Sequence, residues 1–390
     1  MALPPKDKAK DPAFCAAPWI NLETQPNGDI YPCCYYQGIK EFGNIHDNST
    51  ESSDAFKSLK EKFLKGETPE LCYKCTNSEK NSGHSPRIGY NKQFEEWYEE
   101  FQKASPPYFL VLRLGNVCNF SCRICGPSDS TSWYSDAKKL GKSFEKEIPT
   151  ERSPYSSPNV QTHLKQLALN ARSIVFAGGE PLLHDLQYDI LNTLIVNEHT
   201  NISLCYITNL STLNYKEYNP LRMWENFDHL NIKVSLDDIG KRGEYIRKGM
   251  DFDKTIRNIQ LLANNKIEPT ITITVSLFNI LNLKNIFEEI INNNIAKIDK
   301  IHLNLLYTPL IYSCTVLPHE KKAKAQEEIR KIVNTFKPRK DCELYQKLMM
   351  IHELVSNQDH SDLFLGFLAH TKRLDALRGE SFNSLFPEFF

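Results

Sequence analysis

Six short apolar runs in the middle of the chain each precede a longer stretch whose apolar residues recur at helical spacing. The runs cover residues 108–114, 173–177, 202–208, 230–236, 270–277 and 300–306. Strands that alternate with helices predict a parallel sheet of βα units. We therefore expect an α/β fold in which residues 106–310 form a curved, open partial barrel of six βα units. The chemistry of such folds lies at the carboxyl ends of the strands.

Two regions of different pattern flank this core. Residues 1–105 are rich in turns, and Asn27-Gly28 between the apolar runs 19–24 and 29–31 predicts a hairpin with a type I′ turn. Residues 53–65 carry Phe56, Leu59 and Phe63 on one face, which predicts a short amphipathic helix capped by Ser53 or Asp54. Residues 311–390 show helical periodicity, with one face at Ile329, Ile332, Val333 and Phe336 and another at Leu344, Leu348, Ile351 and Val355.

Composition and charge narrow the class of protein. Hydrophobic residues make up 41% and charged residues 24% of the 390 residues, which is ordinary for a globular chain. The formal net charge of -1 argues against a nucleic acid or an anionic membrane as partner. No apolar run approaches the roughly 18 residues of a membrane span, and no apolar segment follows the first lysines as in a signal peptide. We expect a soluble, cytoplasmic protein.

Cysteine is the most informative residue type. The chain has 11 cysteines, and eight of them precede residue 126. Without an export signal, clustered cysteines indicate metal ligation rather than disulfides. Cys118, Cys122 and Cys125 lie on one loop after the first predicted core strand. Closely spaced thiolates suit an iron–sulfur cluster or zinc, and three of them leave one metal position open for chemistry. A zinc site completed by a distant ligand, or three unrelated buried cysteines, is the alternative.

This C-x3-C-x2-C loop resembles the defining motif of the radical S-adenosylmethionine (SAM) superfamily in spacing and placement. The resemblance implies that Cys118, Cys122 and Cys125 hold a [4Fe–4S] cluster whose fourth iron binds the methionine amine and carboxylate of SAM. Ile124 departs from the aromatic residue that usually precedes the last cysteine, and this departure removes no ligand.

Further motifs follow in the order that the superfamily shows. Gly178-Gly179-Glu180 at the end of the second strand resembles the GGE motif, which implies that Glu180 binds the SAM amine. A carboxylate at this point can accept a charge-assisted hydrogen bond from an ammonium group. Further expected SAM contacts follow later strands: Ser235, Asp237, Arg247 and Asn279. We expect Arg247 to bind a carboxylate in a bidentate manner, through two nitrogens of its guanidinium group.

The amino-terminal cysteines resemble a SPASM domain or its shorter twitch form. Twelve residues separate Cys15 from Gly28, four separate Gly28 from Cys33, and Cys72 and Cys75 form a C-x2-C pair. The resemblance implies one auxiliary [4Fe–4S] cluster on Cys15, Cys33, Cys72 and Cys75. Such domains usually follow the radical SAM domain, whereas this one precedes it. Cys34 is an alternative ligand to Cys33, and a four-cysteine zinc site is the alternative to the cluster.

Three cysteines and the end of the chain remain. Cys205 and Cys342 have no motif and are expected to be structural, whereas Cys314 follows the sixth strand and is a candidate hydrogen or proton donor. Residues 372–388 resemble a tail found in uncharacterised twitch-containing radical SAM proteins, which assigns no activity.

The resemblance implies a radical SAM enzyme, an oxidoreductase or a peptide- or sugar-modifying enzyme. Reductive cleavage of SAM would give a 5′-deoxyadenosyl radical that abstracts hydrogen from a peptide or small-molecule substrate. The implied partners are that substrate and an electron donor such as flavodoxin or ferredoxin. Two alternatives stay open: a non-catalytic iron–sulfur or zinc module, and a radical SAM enzyme that acts on nucleic acid.

Overall fold

A computed structural model describes residues 3–47, 53–83, 85–103, 107–141 and 153–390 of the chain. The chain forms two compact units: the first is Met1–Asn116, Glu145–Tyr206 and Lys216–Leu230, and the second is Val117–Phe144, Ile207–Tyr215 and Asn231–Phe390. The predicted domain boundary at residues 105 and 106 lies outside the described residues. No helix in the described ranges is long and apolar enough to cross a membrane.

The described residues form eight strands and sixteen α-helices. The strands are β1 (Asn21–Thr24), β2 (Ile30–Tyr31), β3 (Phe109–Arg113), β4 (Ser173–Ala177), β5 (Ser203–Thr208), β6 (His229–Ser235), β7 (Thr270–Val275) and β8 (Ile301–Leu305). The helices are α1 (Ala17–Ile20), α2 (Asp54–Leu64), α3 (Tyr73–Ser82), α4 (Pro86–Glu96), α5 (Tyr98–Phe101), α6 (Tyr134–Lys139), α7 (Pro158–Asn170), α8 (Asp185–Val196), α9 (Pro220–Trp224), α10 (Gly240–Ile246), α11 (Phe252–Asn264), α12 (Leu283–Asn292), α13 (His319–Phe336), α14 (Glu343–Asn357), α15 (Phe364–Arg378) and α16 (Phe382–Leu385). All six predicted core strands, now β3 to β8, are present within two residues of their predicted bounds.

In the first unit, the amino-terminal hairpin extends the parallel strands of the core. The strand order is β2-β1-β3-β4-β5, with β1 antiparallel to β2 and parallel to β3. Along one register, Leu22 lies opposite Leu110, Leu110 opposite Ile174, and Ile174 opposite Leu204, and all four side chains are buried. This apolar row continues from the hairpin into the βα core, so the cysteine-rich region and the core strands share hydrophobic packing.

The hairpin turn differs from the predicted type I′ turn. The Gly28 amide donates to the carbonyl of Gln25 at 2.8 Å, and Gly28 has a φ of 87° whereas Asn27 does not have a positive φ. Pro26 explains the difference, because its fixed φ near −65° suits the second position of a type I turn. Gly28 then takes the left-handed conformation that completes a three-residue hairpin loop.

The predicted short helix of the amino-terminal region is confirmed as α2. The Ser53 hydroxyl accepts a hydrogen bond from the Phe56 amide, as expected of a helix cap. Phe56, Leu59 and Phe63 are buried on its inner face, and the Phe63 ring lies edge-on to Phe14. This packing fixes α2 against the segment that leads into Cys15.

The second unit contains three parallel strands in the order β6-β7-β8, and helices follow each strand. Val234 lies opposite Ile271, and Ile271 lies opposite Ile301, and all three are buried. The predicted apolar face of α14 is confirmed, because Leu344, Leu348, Ile351 and Val355 are buried. On α13, Ile329 and Ile332 are buried, and Val333 and Phe336 are half-buried.

The end of the chain packs onto the second unit through aromatic side chains. Phe382 and Phe386 stack at 4.8 Å between ring centroids, and Phe386 lies 5.2 Å from Tyr245 and 5.9 Å from Phe278. The hydrophobic free energy of burying these large rings stabilises the position of the last fifteen residues.

Candidate metal centres and SAM site

The loop with Cys118, Cys122 and Cys125 belongs to the second unit and has a defined backbone. The Cys118 sulfur accepts a hydrogen bond from the Phe120 amide at 3.4 Å, and the Cys125 amide donates to the Cys122 carbonyl at 3.1 Å. Cys122 is buried, whereas Cys118 and Cys125 are partly exposed. A hydrogen bond from the Cys125 thiol, reinforced by the charge of Arg247, lowers the pKa of Cys122 despite burial. This favours the thiolate, the form that binds iron.

The backbone of residues 246–248 holds this loop. The amides of Ser121 and Arg123 donate to the carbonyls of Lys248 and Ile246 at 2.8 and 2.7 Å. Gly249 has a φ of 101°, and a Cβ at this position would lie 2.7 Å from the Asn119 carbonyl oxygen. Glycine is therefore needed both for the backbone conformation and for the close approach of the cysteine loop.

Two polar side chains point at cysteine sulfurs in this unit. The Asn209 amide nitrogen lies 3.9 Å from the Cys118 sulfur, and an Arg247 guanidinium nitrogen lies 4.0 Å from the Cys122 sulfur. Hydrogen bonds to ligand sulfurs are among the groups that tune the reduction potential of iron–sulfur clusters. The donor set, three cysteines with polar partners at two sulfurs, suits a cluster with one site-differentiated iron.

Three of the expected SAM contacts in this unit bind one another. Arg247 Nε lies 2.9 Å from Asp237 Oδ2, and Asn279 donates to the Asp237 carbonyl at 2.8 Å. Asp237 Oδ1 accepts from the Thr274 amide at 2.8 Å. Burial opposes the charge of Arg247, but the Asp237 carboxylate, together with the sulfurs of Cys122 and Cys125, outweighs burial and raises the pKa of Arg247. The carboxylate that Arg247 meets is thus Asp237, and Asp237 and Asn279 brace the ends of β6 and β7.

Ser235 is the last residue of β6 and lies opposite Thr272 on β7. It is therefore at the carboxyl end of its strand, as predicted. The candidate donor Cys314 is fully buried in a short 3₁₀ turn, and burial raises the pKa of its thiol to about 12. Its surroundings keep this thiol protonated and away from solvent.

The glycine-rich motif lies in the first unit, directly after β4. Gly178 and Gly179 both have positive φ values, and a Cβ on Gly178 would lie 2.7 Å from the Arg113 Cβ. Glu180 is buried, and its Oε1 accepts from the Leu182 amide at 3.1 Å. The carboxylate therefore also caps the 3₁₀ turn Pro181–Leu183.

The amino-terminal cysteines surround one cavity in the first unit. Cys15, Cys33, Cys72 and Cys75 line one apolar cavity, whereas Cys34 is exposed and does not line it. Within the described residues, no group of three or more His, Cys, Asp and Glu side chains is close enough to hold a single metal ion.

Burial raises the pKa of each of these four thiols, that of Cys15 to about 12. Thiolates in such an apolar space need nearby positive charge, which bound iron supplies. The cavity therefore fits a cluster held by four cysteines.

Sequence reasoning missed the polar residues around this cavity. Arg87 bridges Glu79 and the Phe14 carbonyl at 2.9 Å each, and the Tyr36 hydroxyl lies 3.6 Å from the Cys72 sulfur. Both Arg87 and Tyr36 also line the cavity. Neither residue belongs to a spaced motif with the cysteines, so no signal in the sequence pointed to them. Sequence reasoning also missed Arg123, which lies between Cys122 and Cys125 of the other cysteine loop and is buried.

The chain matches two family models. Residues 112–290 match the radical SAM superfamily, and residues 15–76 match the SPASM iron–sulfur cluster-binding domain. Together the two models cover more than half of the chain. A comparison with curated proteins finds no match.

Solved structures show only distant similarity. "Native anSMEcpe with bound AdoMet" is 17% identical over 58% of this chain and 60% of its own, with a TM-score of 0.42. SuiB of Streptococcus suis bound to its precursor peptide SuiA is 16% identical over 65% of this chain and 52% of its own, with a TM-score of 0.37. TYW1 with a lysine-pyruvate adduct is 13% identical over 68% of this chain and 88% of its own, with a TM-score of 0.34. The chain spans about 60% of the length of the first of these proteins.

The family models confirm the resemblance drawn from the cysteine motifs, including the unusual position of the SPASM domain before the radical SAM domain. They also confirm the predicted cofactors, because a radical SAM domain implies a [4Fe–4S] cluster with SAM and a SPASM domain implies auxiliary iron–sulfur binding. The α/β fold class of the radical SAM type is confirmed as well. The chain therefore contains a radical SAM domain over residues 112–290 and, on the amino-terminal side of it, an iron–sulfur cluster-binding SPASM domain over residues 15–76.

Proposed function

We propose that this protein is an enzyme that cleaves SAM reductively and abstracts hydrogen from a peptide or small-molecule substrate. The observation that carries the proposal is the cysteine loop itself. The Cys122 and Cys125 thiols hydrogen-bond, Arg247 points at the Cys122 sulfur, and the loop lies inside the segment that matches the radical SAM model. A non-catalytic metal module has no need for a loop with one open metal position.

Cys118, Cys122 and Cys125 would hold a [4Fe–4S] cluster, which when reduced supplies the electron that converts bound SAM to methionine and a 5′-deoxyadenosyl radical. The residues of the chain orient and shield this chemistry. Glu180 provides a buried carboxylate for the SAM amine, and Ser235 at the end of β6 provides a hydroxyl. Burial strengthens the carboxylate–ammonium attraction, because fewer water molecules compete for it.

The Asp237–Arg247 ion pair has a positioning role in this proposal. It joins the end of β6 to the segment whose backbone carbonyls hold Ser121 and Arg123. Asn279 holds Asp237 in turn through the Asp237 carbonyl. Loss of either charged partner would leave the other charge buried and unpaired, which is strongly destabilising.

Cys15, Cys33, Cys72 and Cys75 would hold one auxiliary [4Fe–4S] cluster, which is the twitch rather than the two-cluster form of the domain. The shared cavity supports this ligand set, and the exposure of Cys34 supports Cys33 as the ligand. Four thiolates satisfy four irons, so the chain's role at this site is electron transfer or structural support. A small electron-transfer protein such as flavodoxin or ferredoxin would provide the electron for SAM cleavage.

The test is SAM cleavage by anaerobically purified protein with dithionite as reductant. The proposal predicts formation of 5′-deoxyadenosine and methionine in equal amounts. Absence of 5′-deoxyadenosine from protein with its full iron content would favour the non-catalytic iron–sulfur module instead. Detection of both products with a deuterated candidate substrate, followed by mass analysis of the 5′-deoxyadenosine, would identify the hydrogen that is abstracted.

A further inference from the structure

A buried arginine lies between two cysteines of the loop. Arg123 follows Cys122, is only 1% exposed, and stacks over the Tyr245 ring at 3.6 Å. Its guanidinium nitrogen Nη2 contacts Asp375 and Glu380 at 2.5 Å each. A fully buried guanidinium between two carboxylates is costly to form unless it is well paired. The ion pairs of Arg123 with Asp375 and Glu380 therefore favour the one loop backbone conformation in which they can form.

Both carboxylates come from the end of the chain and also bind the segment that flanks the loop. Asp375 lies on α15 and accepts from the Tyr245 hydroxyl at 2.7 Å and from the Phe382 amide at 2.6 Å. Glu380 lies 2.7 Å from the Lys248 ammonium group. Residues 246–248 hold the loop backbone, so the two carboxylates join the loop, its neighbouring segment and the chain end in one network.

A second arginine makes an independent connection. Arg378 donates to the Ser121 carbonyl at 2.9 Å and to Asp136 at 2.8 Å, and it stacks on the Trp133 ring at 4.6 Å. The Trp133 indole donates in turn to the Cys122 carbonyl at 2.8 Å. The carboxyl-terminal residues thus contact the Ser121 carbonyl, which precedes Cys122, and the side chain of Arg123, which follows it.

We propose that residues 374–388 form a carboxyl-terminal brace that positions the cysteine loop for cluster binding. Asp375 and Glu380 are positioning residues that act through Arg123, and Arg378 acts through the loop backbone. The inference rests on the proposed role of Cys118, Cys122 and Cys125 as cluster ligands. It gives a structural task to the tail that had no assigned activity.

Hydrogen exchange tests the brace without reference to catalysis. The anaerobically purified, iron-loaded protein is compared with its Glu380→Gln and Asp375→Asn variants. The Ser121 and Arg123 amides report on the loop, and α11 in the same unit reports on general stability. The matched control is Glu327→Gln, which removes a carboxylate charge from an exposed ion pair with Arg330 on α13.

The brace predicts that both variants exchange the Ser121 and Arg123 amides about tenfold faster than the wild type, because local opening becomes easier when a buried ion pair is broken. Exchange in α11 and in the Glu327→Gln control should match the wild type. The same iron-loaded variants should lose about four irons to a chelator faster than the wild type.

Unchanged loop exchange in both variants would overturn the brace. Equal acceleration in the loop and in α11 would also overturn it, because the carboxylates would then support the whole unit rather than the loop. A wild-type protein that does not cleave SAM would refute the proposed function instead, and the exchange result would still report on the brace. The two failures are therefore distinguishable.

Discussion

At the scale of single residues, Glu180 combines a structural contact with the proposed SAM contact. Its carboxylate is buried and accepts a hydrogen bond from the Leu182 amide in the turn that follows β4. Replacement by alanine would remove the turn contact together with the charge. Replacement by glutamine keeps an oxygen that can accept from Leu182 and removes only the charge.

Glu180→Gln is expected to weaken SAM binding by roughly ten- to a hundredfold, because a lost charge-assisted hydrogen bond at a buried site costs about 1.5–3 kcal/mol. Iron content should stay at the wild-type value. Calorimetric titration of SAM into the reconstituted protein measures the change, with Glu327→Gln as the control. Equal SAM affinity in wild type and Glu180→Gln would remove Glu180 from the site.

Cys33 and Cys34 are neighbours with different surroundings. Cys33 lines the amino-terminal cavity together with Cys15, Cys72 and Cys75, and Cys34 is exposed. The sequence alone could not show which of the two is the ligand. Because they are adjacent, their distances in sequence to every other cysteine differ by only one residue. The course of the chain after β2 decides which sulfur faces the cavity.

Cys33→Ala should therefore reduce auxiliary cluster content, whereas Cys34→Ala should leave about four irons at that site. Both variants are best made in protein whose Cys118, Cys122 and Cys125 are replaced, so that iron analysis and Mössbauer spectra report on one site. Loss of the cluster in Cys34→Ala with retention in Cys33→Ala would reverse the assignment.

At the scale of elements, the segment after α10 determines where the cysteine loop lies. Residues 246–248 accept two backbone hydrogen bonds from the loop, and Gly249 gives the loop room to approach. Arg247 was expected to meet a carboxylate through two guanidinium nitrogens, and in this structure its Nε lies 2.9 Å from one carboxylate oxygen of Asp237, so its contact with SAM stays a prediction. Pairing within the protein could not be predicted from the sequence, because it depends on the tertiary contact between Asp237, which follows β6, and Arg247, which follows α10.

Gly249→Ala should displace the loop, because the new Cβ would lie 2.7 Å from the Asn119 carbonyl oxygen. Gly38→Ala is a matched control, since Gly38 has a similar φ of 91° and no atom within 4 Å of a Cβ. Both variants carry a backbone strain of about 1–3 kcal/mol, but only Gly249→Ala should lose iron from the SAM-site cluster. Iron analysis and electron paramagnetic resonance of the reduced proteins compare the two, and equal cluster content would refute this role of Gly249.

At the scale of the whole molecule, the sequence predicted the order and type of the elements well. The alternation of apolar runs and helical stretches placed β3 to β8 because buried parallel strands are continuous apolar runs. The prediction of a type I′ turn at Pro26-Asn27-Gly28 is wrong, because Pro26 fixes the backbone at the second position of a type I turn that begins at Gln25. The parallel pairing of β1 with β3 and the contacts of Arg123 were not predictable, since both join residues more than eighty positions apart.

If the loop cysteines and the amino-terminal cysteines each hold one [4Fe–4S] cluster, the number of irons per chain is fixed. Anaerobically purified wild-type protein should contain about eight irons per chain, and the Cys118→Ala, Cys122→Ala, Cys125→Ala triple variant about four. Metal analysis by mass spectrometry measures both values together with zinc. One zinc and no iron in the triple variant would show that the amino-terminal cysteines form a structural zinc site.

The central claim is that the loop cysteines, and not the amino-terminal ones, support SAM cleavage. The measurement that tests it most directly is 5′-deoxyadenosine formation by the triple variant, assayed anaerobically with dithionite beside the wild type. We predict product from the wild type and none from the triple variant, although the triple variant retains about four irons on its amino-terminal cysteines. Formation of 5′-deoxyadenosine by the triple variant at the wild-type rate would contradict the assignment.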